Sequence, residues 1–143
     1  MRVLETTVDP EQRARREQER VIRERERLKF RVYSAVREVA LATGLFRTHF
    51  ELHEPDITVN VYARFVDVNA SLNEGQLRLL PVAGRARELN RFAEELRSGL
   101  ERVAGALHLE FTTDPARYGG SVPVTLVDVP CGYRAVLVRP SPE

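Results

Sequence analysis

Three side chains of this sequence have the types of a metal site: His49, Glu51 and His53. Two imidazoles and a carboxylate are a common ligand set for catalytic zinc or iron. The alternating pattern of Thr48 to Glu54 predicts a strand, with Phe50 and Leu52 on one face and these three on the other. Residues two apart on a strand project in parallel, about 7 Å from each other. Such side chains diverge from a common ion, so the expected reading is a solvated strand face, with no metal bound. A glycine loop, Arg117-Tyr118-Gly119-Gly120-Ser121, could bring backbone amides to a phosphate. It lacks the Lys-Ser/Thr pair and the following helix of a phosphate-binding loop, and is expected to be a hairpin connection. Cys131, the sole cysteine, lies between Pro130 and Gly132 with no activating neighbour in sequence, and no GxSxG elbow exists. No catalytic residue, cofactor or metal is assigned from the sequence.

The remaining constellation is one of charge. Arg13, Arg16, Arg20, Arg23, Arg27 and Arg31 recur at three and four residues. On a helix they fall within an arc of about 80°. Between Glu11 and Arg31 there are nine basic and five acidic residues. Two readings follow. Arg and Glu can pair along an exposed helix, as at Glu19 and Arg23. Alternatively the stripe meets phosphates or an acidic partner. The interleaved glutamates would repel a phosphate backbone, and no aromatic precedes Phe30 for base stacking.

The elements that position these residues are written in the punctuation of the chain. Asp9-Pro10-Glu11-Gln12 has the form of a helix start, with Asp9 as cap, Pro10 in the first turn and Gln12 at capping-box spacing. No Gly or Pro follows until Gly44, which is expected to cap the helix end, so a helix is predicted over residues 10–43. Its length of roughly 50 Å exceeds what a core of this size requires. Ala14, Val21, Leu28, Ala35 and Ala42 recur every seven residues, and Val32, Val36, Val39 and Thr43 widen the stripe in the second half only. The second half is expected to pack on a core. The first half is expected to project, or to pack on a second copy through Val21 and Leu28.

Period-two alternation from Ile57 to Phe65 predicts a strand, the shift of phase at Val66 and Val68 predicts a bulge or a strand end near Phe65, and residues 76–82 predict a short strand. Leu89, Phe92, Ala93, Leu96, Leu100, Val103, Ala104 and Leu107 predict a second helix over 85–107. Strands are predicted at 108–112, 122–129 and 133–138, the last two joined by a turn at Pro130-Cys131-Gly132. The fold class is therefore α+β: a long N-terminal charged helix, then a five- to six-stranded mostly antiparallel sheet with two helices on one face, in the order α-β-β-β-α-β-β-β. The organisation is a flexible N-terminus (1–9), the long helix (10–43), an α+β core domain (44–139) and a frayed tail (140–143).

Composition bounds the function. The chain has 143 residues, 43% of them hydrophobic, and 22 basic against 21 acidic side chains, a net charge of +1. That near-balance argues against wholesale coating of nucleic acid or a membrane surface. One cysteine permits no internal disulfide, and no apolar run spans a bilayer, so a cytoplasmic protein is expected. The leading expectation is a non-enzymatic assembly or interaction protein acting as a homo-oligomer, with the long helix as docking element, self and another protein being its partners. A binder of nucleic acid or of an acidic partner through the arginine stripe is the first alternative. The second is a small enzyme or ligand-binding domain whose residues form no recognisable motif.

Overall fold

The structure is a computed structural model, and it describes residues 9–140. The expected flexible start and frayed tail fall almost wholly outside that range. Helix α1 runs Pro10–Leu41. Asp9 caps it, its Oδ1 accepting from the Glu11 amide at 3.2 Å. The helix stops at Leu41, two residues before the predicted end, because Ala42 and Thr43 fold back on it. The Thr43 hydroxyl donates to the Ala40 carbonyl at 2.7 Å. Gly44 is not a left-handed cap. It opens a second short helix, α2, Gly44–Thr48.

The first correction follows from α2. Residues 48–54 form no strand. Phe46 and Phe50, one helical turn apart, are both buried, with ring centroids 5.4 Å apart in an edge-on pair. Leu52, expected on the same buried face as Phe50, is 95% exposed. The operative spacing here is four, not two.

Strands β1 (Asp56–Val61) and β2 (Phe65–Ser71) form an antiparallel hairpin. Of the two readings of the phase shift at Val66, a bulge or a strand end, the second is the one found: β1 ends at Val61 and the chain reverses into β2 at Phe65. The predicted strand at 76–82 is also absent: Glu74–Leu79 is helix α3. Asn73 and Gln76 cap its start reciprocally, the Gln76 amide donating to Asn73 Oδ1 at 2.8 Å and the Asn73 amide to Gln76 Oε1 at 3.1 Å. Helix α4 covers Arg85–Ala106, as its three-four spacing predicts. Strands β3 (Glu110–Thr112), β4 (Val122–Leu126) and β5 (Val129–Val138) follow. The turn between the last two is Val127-Asp128, both with positive φ, and Pro130, Cys131 and Gly132 lie inside β5. Two positive φ values in a two-residue connection match the twist of the hairpin.

The class is α+β, with a long N-terminal helix and a five-stranded antiparallel sheet in the order β1-β2-β5-β3, β4 also pairing with β5. Strands β3 and β4 lie end to end along one edge of β5: Thr112 pairs with Val136 and Val122 with Arg134. The loop between them, residues 113–121, is an excursion out of a single edge line. Helix α1 lies over β1, α4 lies over β5 and β3, and the two helices touch. Their face of the sheet carries Val59, Val66, Val68, Ala70, Tyr133, Ala135 and Leu137, all buried. At the helix crossing, a Cβ on Gly99 would run into the Val39 side chain, which explains a glycine within an otherwise regular helix.

Candidate functional site

The long helix divides by burial at Val21. No residue from Pro10 to Arg20 is buried or half-buried. Val21, Arg25 and Leu28 are half-buried, and Leu28 packs against the core. Val32, Val36 and Ala40 are fully inside. The seven-residue seam is thus one line that begins in solvent at Ala14, is half-buried from Val21 to Ala35, where it packs against the core, and is exposed again at Ala42. Arg25 lies on that line, and its Nε is buried without a hydrogen-bond partner among the described residues. A buried donor left unpaired is costly and uncommon.

The arginine stripe is exposed throughout: Arg13, Arg16, Arg20, Arg23, Arg27 and Arg31 all face solvent. Among the described residues Arg20 is its one member in an ion pair, held by Glu17 on one side and by Glu24 at 2.5 Å on the other. The Arg20 hydrogen bond holds the Glu17 carboxyl below its usual range. The pair expected between Glu19 and Arg23 does not form. Beside the stripe the helix exposes Ile22 (59%) and Phe30 (71%). At about 100° per residue Ile22 sits between the arginines and the seam, while Phe30 borders the arginine stripe, about 20° from the line of Arg23.

The histidine set falls apart. His49 ends α2 and lies 3.8 Å from Glu88, while His53 packs its ring 5.3 Å from Phe50. Among the described residues no three His, Cys, Asp or Glu side chains gather as a metal set. Cys131 is buried in β5, and burial pushes its thiol up, away from the reactive thiolate.

A second surface was not singled out as a whole by the sequence. It is the sheet face away from the helices. Here Phe65 is sandwiched by Tyr62 (centroids 4.8 Å apart) and Tyr118 (4.1 Å). Arg134 anchors the 113–121 loop across this face. Its Nε donates to Asp67 at 2.9 Å, and its two terminal nitrogens donate to the carbonyls of Gly120 and Tyr118, each at 3.3 Å. Beyond Tyr118 a cleft of about 630 Å³ is lined by Arg64, Glu110, Arg117 and Arg139. The signal that could have found it is Tyr62, Arg64, Phe65, Arg117 and Tyr118, but only the register of β2, β5 and β3 brings the two groups together.

Compared with protein-family models, curated proteins and solved structures, the chain matches none. No helix among the described residues is long and apolar enough to cross a membrane.

Proposed function

We propose that this chain is a non-enzymatic assembly or interaction protein that works as a homo-oligomer, with α1 as its docking element. The observation that carries the reading is the half of α1 that has no inner partner, on the same line as a buried, unpaired Arg25 Nε. Helices draw most of their stability from packing, and an unsupported one is marginal in water. The ion pairs of Arg20, both exposed to solvent, add little to that stability.

The seam positions are Glu11, Ala14, Gln18, Val21, Arg25 and Leu28, alternating three and four residues apart, as in a coiled coil. Orientation follows from charge. A parallel pair would set Glu11 against Glu11 and Arg25 against Arg25. An antiparallel pair centred between Gln18 and Val21 sets Arg25 against Ala14 of the second copy, within a turn of that copy's Glu11. It also gives each Arg25 an acceptor and leaves Val21 at the middle of the contact. Light scattering of the intact chain should show a dimer or larger, and Val21→Asp should shift it toward monomer with the helical signal of the core domain retained. A wild-type chain that stays monomeric at high micromolar concentration, with Glu11 to Arg20 exchanging amide protons like a frayed end, would remove the reading.

A second reading, binding of nucleic acid or an acidic partner, is favoured by Arg13, Arg16, Arg23, Arg27 and Arg31 of the stripe, whose guanidiniums have no carboxylate partner among the described residues. Under that reading Arg16→Glu with Arg23→Glu abolishes binding. Wild-type affinity then falls with salt by roughly one unit of log–log slope per phosphate neutralised. Salt-independent or absent binding counts against it.

A further inference from the structure

We propose that the cleft beside Tyr118 binds a nucleoside phosphate, its planar base on the Tyr118 ring and its phosphate on Arg64 and Arg139. The platform is prebuilt. Tyr62, Phe65 and Tyr118 form a three-ring stack, and Tyr118 remains 41% exposed. Phe65 backs one face of Tyr118, so a further ring has the other face. Stacking on a ring already immobilised costs less ordering than stacking on a free one.

The loop that carries the ring is held in a strained form. Tyr118 has φ 59°, in the left-handed region that a non-glycine residue adopts at a cost of about 1–2 kcal/mol. Its carbonyl accepts from Arg134, and the next residue, Gly119, has φ 91°, a conformation that favours glycine. The Asp114 carboxylate accepts from the Ala116 amide at 3.0 Å and its carbonyl from the Arg117 amide at 2.9 Å, closing the turn that leads into Tyr118. Strain kept in place by this many contacts is characteristic of binding sites.

The charge is placed beside the ring. Arg117 is neutralised by Glu110 at 2.5 Å, which fixes it as wall. Arg139 is oriented by donating from Nη1 to the Tyr62 carbonyl at 3.0 Å, with its other N–H groups left to the cleft. The Arg64 guanidinium has no hydrogen-bond or ion-pair partner among the described residues, and the backbone of Arg64 is pinned where its carbonyl accepts from the Arg139 amide at 2.8 Å. Two guanidiniums at the edge of an aromatic face are the elements that hold a phosphate and a base together. A free nucleotide and one unit of a single strand present the same chemistry.

The test is equilibrium binding to the full chain of ADP, of inorganic phosphate, and of a short fluorescein-labelled oligothymidylate. ADP or the oligonucleotide should bind, and more tightly than phosphate alone. Tyr118→Ala should weaken that binding by at least about five-fold, and Tyr118→Phe should leave it within about two-fold, since stacking is worth roughly 1–3 kcal/mol per base. Arg64→Ala, which removes no hydrogen bond or ion pair among the described residues, should weaken it as well and keeps the test valid if Tyr118→Ala loosens the loop. Preference for ADP assigns a free nucleotide, and preference for the oligonucleotide assigns a single strand. Absence of binding by both overturns the proposal. So does binding that survives Tyr118→Ala and Arg64→Ala but is lost on Arg16→Glu with Arg23→Glu, which would move the site to α1.

Discussion

Phe50→Ala should lower stability by about 3–5 kcal/mol, while Leu52→Ala, two residues on, should stay within about 0.5 kcal/mol of wild type. Phe50 is 0% exposed and Leu52 is 95% exposed. Phe50 meets Phe46 edge-on at 5.4 Å, and Phe46 meets Phe92 of α4 at 6.0 Å, so Phe50 backs the ring that links α2 to the second long helix. Removing it leaves a cavity that neighbouring rings fill poorly. Leu52 has nothing to lose but water. Urea unfolding at fixed protein concentration measures both. The pair also discriminates between structures, because a strand over 48–54 would bury both residues and give both substitutions a large cost. Comparable losses would therefore refute the helix and turn described here.

Gly132→Ala should cost about 3 kcal/mol or more, the upper end of what overpacking does. Gly132 stands in β5 opposite Ser71 of β2. A Cβ there would collide with the Ala70 carbonyl oxygen and lie 2.6 Å from Ser71 Cα. Backbone atoms cannot rotate aside as a side chain can. Relief requires β2 and β5 to part where the Leu72 amide donates to the Cys131 carbonyl at 2.9 Å. A melting temperature within a degree of wild type would show that the strands approach less closely than drawn. Gly105→Ala is the matched control, since a Cβ at 105 meets nothing within 4 Å.

The parts legible in the sequence are those whose period is long and uninterrupted. Helices α1 and α4 lie where capping and apolar spacing put them, and the class follows from them and the alternation of β1. The failures are short. Five residues of α2 give an alternation no room to be told from a helical turn, and Phe50 and Leu52 mimic one. Helix α3 carried a readable start in Asn73 and Gln76, but Gln76 is buried and Leu77, Leu79 and Leu80 mimic a strand. The Val127-Asp128 turn carried no signal, since a β-branched residue disfavours positive φ, and Pro130 and Gly132 offered a false one. For the candidate surfaces, the exposed half of α1 and its arginines could be read from spacing. The cleft could not, because Arg64, Tyr118 and Arg139 become neighbours only through strand register.

The position of β5 fixes an order of events in folding. It is the last strand in sequence yet the central one, flanked by β2 on one side and by β3 and β4 on the other. Until it has been synthesised, the β1–β2 hairpin has an unpaired inner edge and β3 has no partner at all. Closing the sheet then requires contacts between residues far apart in the chain, such as Asp67 and Val136, and such closure slows folding. A nascent chain arrested before β5 would leave the inner edge of β2 unpaired and the apolar face of α4 without the strand it covers, a form prone to bind other chains before it binds itself.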